Sequence, residues 1–462
     1  MSVVPEEAET VSLSFPTGFV WGAATASFQV EGATAVDGRT DSIWDEFCRR
    51  PGAVAGGDTG EPGADHYRRF ADDVDLMSEL GLGAYRFSVA WPRVRPDGGA
   101  ENGRGLDFYD RLVDGLLAKG ISPWATLYHW DLPQALEERG GWTVRDTAYR
   151  FADFAESVVA RLGDRVDGWL TLNEPWCSAF VGYASGRHAP GVRSESAAVA
   201  AVHHLLLGHG LAMERIRAAA PVVPAGITLN LFPVHAASGS AADQEAARRI
   251  DGLQNRIFLD PLLRGGYPAD LRSDLAPYGL AELVRDGDLD LISGPIDLLG
   301  VNYYRSYLVA GGGTPDGPSE WVGASDVEFL TSGKPRTDLG WEVEPDGLTE
   351  LLVSLHEQYP DLPLYITENG AAYPDRLGPD GTVRDADRVA FLDGHLRAAH
   401  AAVSRGVDLR GYFCWSLLDN LEWAEGYAKR FGLVHVDFET LRRTPKDSAR
   451  WYAGVIERNG LT

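Results

Sequence analysis

Gly168-Trp-Leu-Thr-Leu-Asn-Glu-Pro175 is an apolar run of strand length that stops at two polar residues and a proline. A short apolar or β-branched run bounded by turn signals reads as a strand buried on both faces. Pro175 cannot donate to a ladder, so the strand ends before it and leaves Asn173 and Glu174 at its C-terminal tip. Leu364-Tyr-Ile-Thr-Glu-Asn-Gly370 repeats the design, with Glu368 and Asn369 at the tip. Working outward, eight such runs occur, at 19–24, 84–91, 122–129, 168–173, 225–232, 298–303, 364–367 and 411–416. Longer segments of helical periodicity separate them, among them 70–80, 108–119, 147–162, 197–219, 348–358 and 387–404. Strands alternating with helices make an α/β fold with a parallel sheet, and eight of them suggest a closed (β/α)8 TIM barrel. A doubly wound sheet is the alternative; no Gly-x-Gly-x-x-Gly follows the first strand, which weakens its dinucleotide-binding form.

No charge run, low-complexity tract or proline-rich linker divides the 462 residues, so 1–462 reads as a single barrel domain. An N-terminal tail is expected over 1–14. The longest irregular stretch, 310–344, is rich in Gly, Pro, Ser and Asp and follows the sixth strand, where it would wall the catalytic face. With 42 basic against 67 acidic residues the formal net charge is −25, which disfavours nucleic acid and anionic membrane surfaces as partners. Cys48, Cys177 and Cys414 are odd in number and form no Cys-x-x-Cys pair, the usage of a reducing compartment. The first ten residues lack a basic segment followed by an apolar run, and no stretch reaches ~18 continuous apolar residues. A cytoplasmic enzyme is the expectation.

What ends each strand is more specific. Arg86 and Trp91 belong to the second strand, His129 and Trp130 end the third, and Asn302, Tyr303 and Tyr304 the sixth; Trp415 ends the eighth. In a barrel these C-terminal ends converge on one pocket, where polar residues read as catalytic. One Glu at such a place is most simply a rim salt bridge. Two, at strand ends four and seven across a barrel mouth, match what glycoside cleavage needs: a protonated acid for the leaving oxygen and an ionised carboxylate facing the anomeric carbon. A gap of ~5–5.5 Å would retain configuration, and ~6.5–9.5 Å would invert it. Arg86 is positioned to keep Glu368 ionised, or to serve as a structural barrel arginine, or both. Glu174, near several aromatics, is expected to hold its proton near neutral pH. Of 13 tryptophans, Trp91, Trp124, Trp130, Trp169, Trp176, Trp415 and Trp423 fall at or near the strands, and indoles stack on the C–H faces of sugars. Trp124 and Trp169 read instead as core.

Eight motifs in order now carry a resemblance: Phe15-Pro-Thr-Gly-Phe-Val-Trp-Gly-Ala-Ala-Thr-Ala-Ser-Phe-Gln29, Tyr85-Arg-Phe-Ser-Val-Ala-Trp-Pro92, Thr126-Leu-Tyr-His-Trp-Asp-Leu-Pro133, Thr171-Leu-Asn-Glu-Pro175, Gly300-Val-Asn-Tyr-Tyr304, Ile366-Thr-Glu-Asn-Gly370, Gly411-Tyr-Phe-Cys-Trp-Ser-Leu-Leu-Asp-Asn420 and Lys429-Arg-Phe-Gly432. Over nearly the whole chain they resemble glycoside hydrolase family 1, the β-glucosidase family. The resemblance implies a retaining β-glycosidase with Glu174 as acid/base and Glu368 as nucleophile. It implies that Gln29, His129, Asn173, Glu422 and Trp423 bind the hydroxyls of the non-reducing sugar, Asn173 the 2-hydroxyl. Tyr304 resembles the tyrosine that bonds the nucleophile, Trp415 the platform beneath the sugar and Phe431 a ring near its 6-hydroxyl. Trp130 and Asn302 complete the candidate set. Glutamate rather than glutamine at 174 sets the chain apart from plant thioglucosidases. Glutamate rather than serine at 422 sets it apart from 6-phospho-β-glycosidases.

The expected substrate is a small β-glucoside or short β-linked oligosaccharide, with β-galactosides or β-fucosides as side substrates. Transfer to an acceptor alcohol, and a non-catalytic sugar-binding barrel, are the alternatives. No metal ligand set accompanies His129, so no metal or cofactor is expected. His203, His204 and His209 read as packing or surface residues. Oligomeric state and the aglycone stay open.

Overall fold

The computed structural model describes residues 12–314 and 317–462. Eight parallel strands close into one barrel: β1 (Val20–Ala24), β2 (Ala84–Ser88), β3 (Ser122–Tyr128), β4 (Gly168–Asn173), β5 (Ala225–Asn230), β6 (Leu298–Asn302), β7 (Leu364–Asn369) and β8 (Leu409–Trp415). Each pairs with its sequence neighbour, and β8 returns to β1. The expected (β/α)8 fold is the observed one, and the doubly wound alternative falls. Every residue of β2, β4, β5, β6 and β7 is buried, which explains why these strands read as continuous runs without alternation.

The outer layer comprises α1 (His66–Glu79), α2 (Gly103–Ala118), α3 (Asp146–Leu162), α4 (Glu195–Ala219), α5 (Ala241–Asp251), α6 (Pro345–Gln358), α7 (Ala386–Ser404) and α8 (Asp447–Arg458). In α3 the buried residues Phe151, Phe154, Ala155, Val158 and Leu162 recur at three and four and form one stripe against the barrel. The α4 helix begins at Ser194, whose hydroxyl accepts from the Ala197 amide. It is long and apolar enough to cross a membrane by composition, but 83% of that window is buried inside the protein. An all-round apolar helix of this kind is a core helix. His203, His204 and His209 are buried on it, bonded to Tyr267 and Asp288, to the Trp142 carbonyl and to Thr171, so theirs is a packing role.

Three expectations need correction. Residues 1–11 of the expected tail lie outside the described residues, but Leu13–Ser14 is a short strand paired with Gly460–Leu461. The stretch 310–344 is not wholly irregular: Val327–Leu330 pairs with Tyr307–Gly311, which in turn pairs with Val234–Ala236. Trp91 is not a pocket residue. It is fully buried outside the barrel, stacked on Phe154 of α3 at 5.2 Å and beside Trp142 and Phe151. Trp124 lies against Phe413 (5.4 Å) and Tyr365 (4.9 Å), in the space beside Gly168, and fills the barrel at the ends where its strands begin.

Candidate active site

The opposite end of the barrel is open, and its strand tips gather around a cavity of about 950 Å³. Glu174, Glu368, Tyr304, His129, Trp130, Trp415, Glu422, Trp423 and Phe431 all line it. Beneath them lie Arg86, Asn173 and Asn302, buried to within 1% of completely. Gln29 is buried behind the wall: its amide nitrogen donates to Asn420 Oδ1 (3.0 Å) and the Leu421 carbonyl (2.8 Å). Every candidate site residue of the resemblance therefore falls in one place.

Glu368 is gripped on both oxygens. Arg86 Nη1 donates to Oε1 at 2.7 Å, and the Tyr304 hydroxyl donates to Oε2 at 2.7 Å. The same guanidinium donates through Nη2 to Asn173 Oδ1 (2.6 Å) and through Nε to Thr126 (3.1 Å). Arg86 is thus both the counter-ion of Glu368 and a structural tie across β2, β3, β4 and β7. Asn302 Nδ2 donates to Glu174 Oε1 at 2.6 Å and to Asn173 Oδ1 at 3.1 Å, while Thr367 fixes its carbonyl. A continuous set of hydrogen bonds therefore runs from one carboxyl to the other. His129 Nε2 lies 3.1 Å from Asn173 Nδ2, and its Nδ1 has no protein partner. Among the described residues Glu422 Oε2, which lines the cavity, and Gln29 Oε1, which lies behind it, also lack partners.

Local backbone explains the motifs. Glu174 (φ 45°), Trp130 (φ 76°) and Trp423 (φ 49°) occupy the left-handed region, uncommon for such side chains and a form of strain that accumulates at functional sites. A Cβ on Gly370 would come within 1.7 Å of the Trp415 carbonyl oxygen, so only glycine lets β7 turn away beside Trp415. After Pro175 the chain enters a π-helical segment, Cys177–Ser185. Just ahead of it a tight turn, in which the Cys177 amide donates to the Glu174 carbonyl at 3.0 Å, brings the Cys177 thiol within 3.2 Å of Glu174 Oε2, to which it donates.

The electrostatics separate the two glutamates. Burial, and then the charge of Glu368, push Glu174 up to about 8, against the pull of Asn302 and Cys177. Burial raises Glu368 as well, and Arg86, Tyr304 and Asn302 oppose the rise. Glu368 has a cation at 2.7 Å and Glu174 only neutral donors, so a single negative charge shared by the pair resides on Glu368. Glu422 is likewise raised to about 8, by burial and then by Glu368 and Glu174.

Several lining residues had no reading from sequence as site groups: Cys177, His188, Asn230, Arg305, Tyr307 and Trp341. Trp176 and Trp321 pack at 5.2 Å and Trp341 sits 5.3 Å from Tyr304, so the 310–344 segment does wall the cavity. Among the described residues no group of three or more His, Cys, Asp or Glu is placed to hold a metal ion.

A closed parallel barrel with its polar groups gathered at the C-terminal strand ends places the chain among (β/α)8-barrel enzymes. Residues 11–461 match the family model of glycosyl hydrolase family 1, and the chain belongs to that family. It is 53% identical over 452 residues to the thermostable beta-glucosidase B of Thermobispora bispora, covering 97% of this chain and 92% of that protein. It is 49% identical to the bifunctional beta-D-glucosidase/beta-D-fucosidase of Bifidobacterium breve, covering 96% and 99% of the two chains. The crystal structure of the psychrophilic beta-glucosidase BglU from Micrococcus antarcticus superposes with a TM-score of 0.94 at 53% identity, over 96% of this chain and 98% of that one.

Proposed function

We propose that this protein is a retaining β-glycosidase that removes terminal non-reducing β-D-glucosyl residues from small O-β-glucosides and short β-linked oligosaccharides. The observation that carries the reading is the pair of buried carboxyls in unlike settings, Glu368 held by Arg86 and Tyr304, Glu174 by neutral donors alone. Glu174, protonated at neutral pH, gives its proton to the glycosidic oxygen as the carboxylate of Glu368 attacks the anomeric carbon. The C–O bond to the aglycone breaks and an α-linked glycosyl ester forms on Glu368. Glu174, now ionised, takes a proton from water as that water displaces the ester, and the β configuration is restored. His129, Gln29, Glu422 and Trp423 bind the sugar hydroxyls in this reading, Asn173 the 2-hydroxyl, and Trp415 and Phe431 pack against the ring. An unphosphorylated sugar suits Glu422, because a buried carboxyl can accept from and donate to hydroxyls but offers a 6-phosphate no positive charge. Family membership and the relatives named above support β-glucosides as the main substrates and β-fucosides as side substrates. The free thiols Cys48, Cys177 and Cys414 support a reducing, cytoplasmic setting. Transfer to an alcohol is the same second step with another nucleophile, and Trp176 and Trp341 at the mouth offer an acceptor a stacking surface.

The test is chemical rescue. Glu368→Gly should abolish hydrolysis of 4-nitrophenyl β-glucoside, and azide should restore turnover with α-glucosyl azide as product. A β-azide from that variant, or undiminished hydrolysis without azide, would assign the nucleophile elsewhere.

A further inference from the structure

The protein carries a formal charge of −25, yet the mouth of its cavity is edged by four arginines, Arg50, Arg187, Arg193 and Arg305. Arg187 is neutralised by Glu320 at 2.9 Å. Arg305 is not. Among the described residues it has no carboxylate within ion-pair distance, and its one hydrogen bond runs from Nη2 to the Tyr307 hydroxyl at 3.1 Å. The guanidinium lies 4.8 Å from the Tyr307 ring centre and 5.1 Å from that of Trp341. Two aromatic faces fix its plane and remove part of its hydration, while its other donors stay uncommitted.

Its position is on the leaving-group side. Tyr307, which receives the Arg305 hydrogen bond, packs edge-on against Trp321 at 5.6 Å, and Trp321 packs at 5.2 Å against Trp176, two residues past Glu174, the proposed proton donor. Arg305 thus stands beyond the acid, where the aglycone must lie. A half-buried, oriented fork with free donors matches a planar carboxylate, which it binds through two parallel hydrogen bonds. The acidic surface repels anions at long range, so only a local cation held at the mouth could select one.

We infer that Arg305 forms a subsite for an anionic aglycone, and that the preferred substrates are β-glucosides whose aglycone bears a carboxylate. The inference rests on the proposed glucosidase activity and specifies its unassigned half. Two aryl glucosides test it, 4-(carboxymethyl)phenyl and 4-(carbamoylmethyl)phenyl β-glucoside, whose methylene insulates the phenol so that the leaving groups are nearly matched. The wild-type kcat/KM ratio, carboxylate over amide, should be about tenfold, the size of one partly screened charge-assisted interaction. Arg305→Gln should collapse the ratio to about one, whichever way the neutral substrate moves, and Arg305→Lys should keep an intermediate ratio. A wild-type ratio near one, or a ratio unchanged in Arg305→Gln, overturns the subsite. Should the glutamine variant fail to fold, the Arg305→Lys variant decides, because a ratio left at the wild-type value there would assign the preference to Arg50 or Arg193 and overturn the subsite. Hydrolysis of neither substrate would instead strike at the glucosidase reading.

Discussion

In the proposed reaction Glu174 and Glu368 are the same side chain made into an acid and a nucleophile by what donates to them. Each donor acts on a different limb of the pH profile. Tyr304→Phe removes a hydrogen bond to the carboxylate form of Glu368, so its proton leaves at higher pH. The acid limb of kcat/KM should move up by about one pH unit, the worth of a ~1.5 kcal/mol hydrogen bond to a charged group. Cys177→Ala removes the thiol that lowers Glu174, so the alkaline limb should move up instead, by roughly half a unit for the weaker donor. A profile of each variant on 4-nitrophenyl β-glucoside checks both, and shifts on the opposite limbs would exchange the roles of the two glutamates. The pair itself was legible in the sequence because strand tips are marked by a sudden change from apolar to polar. Cys177 was not: thiol and carboxyl meet only because the chain turns tightly back between Glu174 and Cys177, which no periodicity announces.

At the scale of elements, the strands read well because burial on both sides left them as unbroken apolar runs. The helices α3, α4 and α7 read well because they are long. The helix α5, in contrast, went unread. Only Ala246 and Ile250 of it are buried, and Arg248 is held by Glu245, Asp270 and Asp274 on the surface, so it presents no apolar stripe. Trp91 misled for the converse reason: it follows β2 in the chain, but its indole turns outward to α3. Trp91→Ala should therefore act on stability alone. We expect a loss of about 3–5 kcal/mol, the range for deleting a large buried aromatic, followed by denaturant unfolding. KM measured on the folded enzyme should stay that of the wild type; a changed KM would mean that Trp91 reaches the cavity.

The whole molecule is fastened by charges in its interior. Lys446, fully buried at the start of α8, bonds Asp419 at 2.7 Å and also Asp375, while Arg388 joins Asp375 to Asp385 and Arg430 reaches Asp419 at 2.6 Å. Asp419 also accepts from the Gly432 amide at 3.0 Å. It so braces the segment that carries Glu422, Trp423 and Phe431. Burial works against the Asp419 charge, but Lys446 and Arg430 overcome it and leave its pKa below the usual range. Its contribution is thus present above the ordinary aspartate pKa and lost as pH falls through the lowered value. Lys446→Met leaves Asp375 to Arg388 alone and Asp419 to Arg430 alone, and should cost about 3 kcal/mol near neutral pH. In the variant Asp419 can escape by taking a proton, so the deficit should shrink on mild acidification. Melting curves at both pH values test this, and a constant deficit would mean that Asp419 keeps its charge without the lysine. Nothing in the composition hinted at this network, since an acidic balance fixes only the sum of the charges and not their pairing. The plug formed by Trp124 has its own outcome. With the barrel shut below and open above, entrance and exit are one passage. The aglycone must depart before the sugar beneath it can leave, and a freed sugar that lingers bars the next arrival. Traffic through this enzyme is single file, last in and first out.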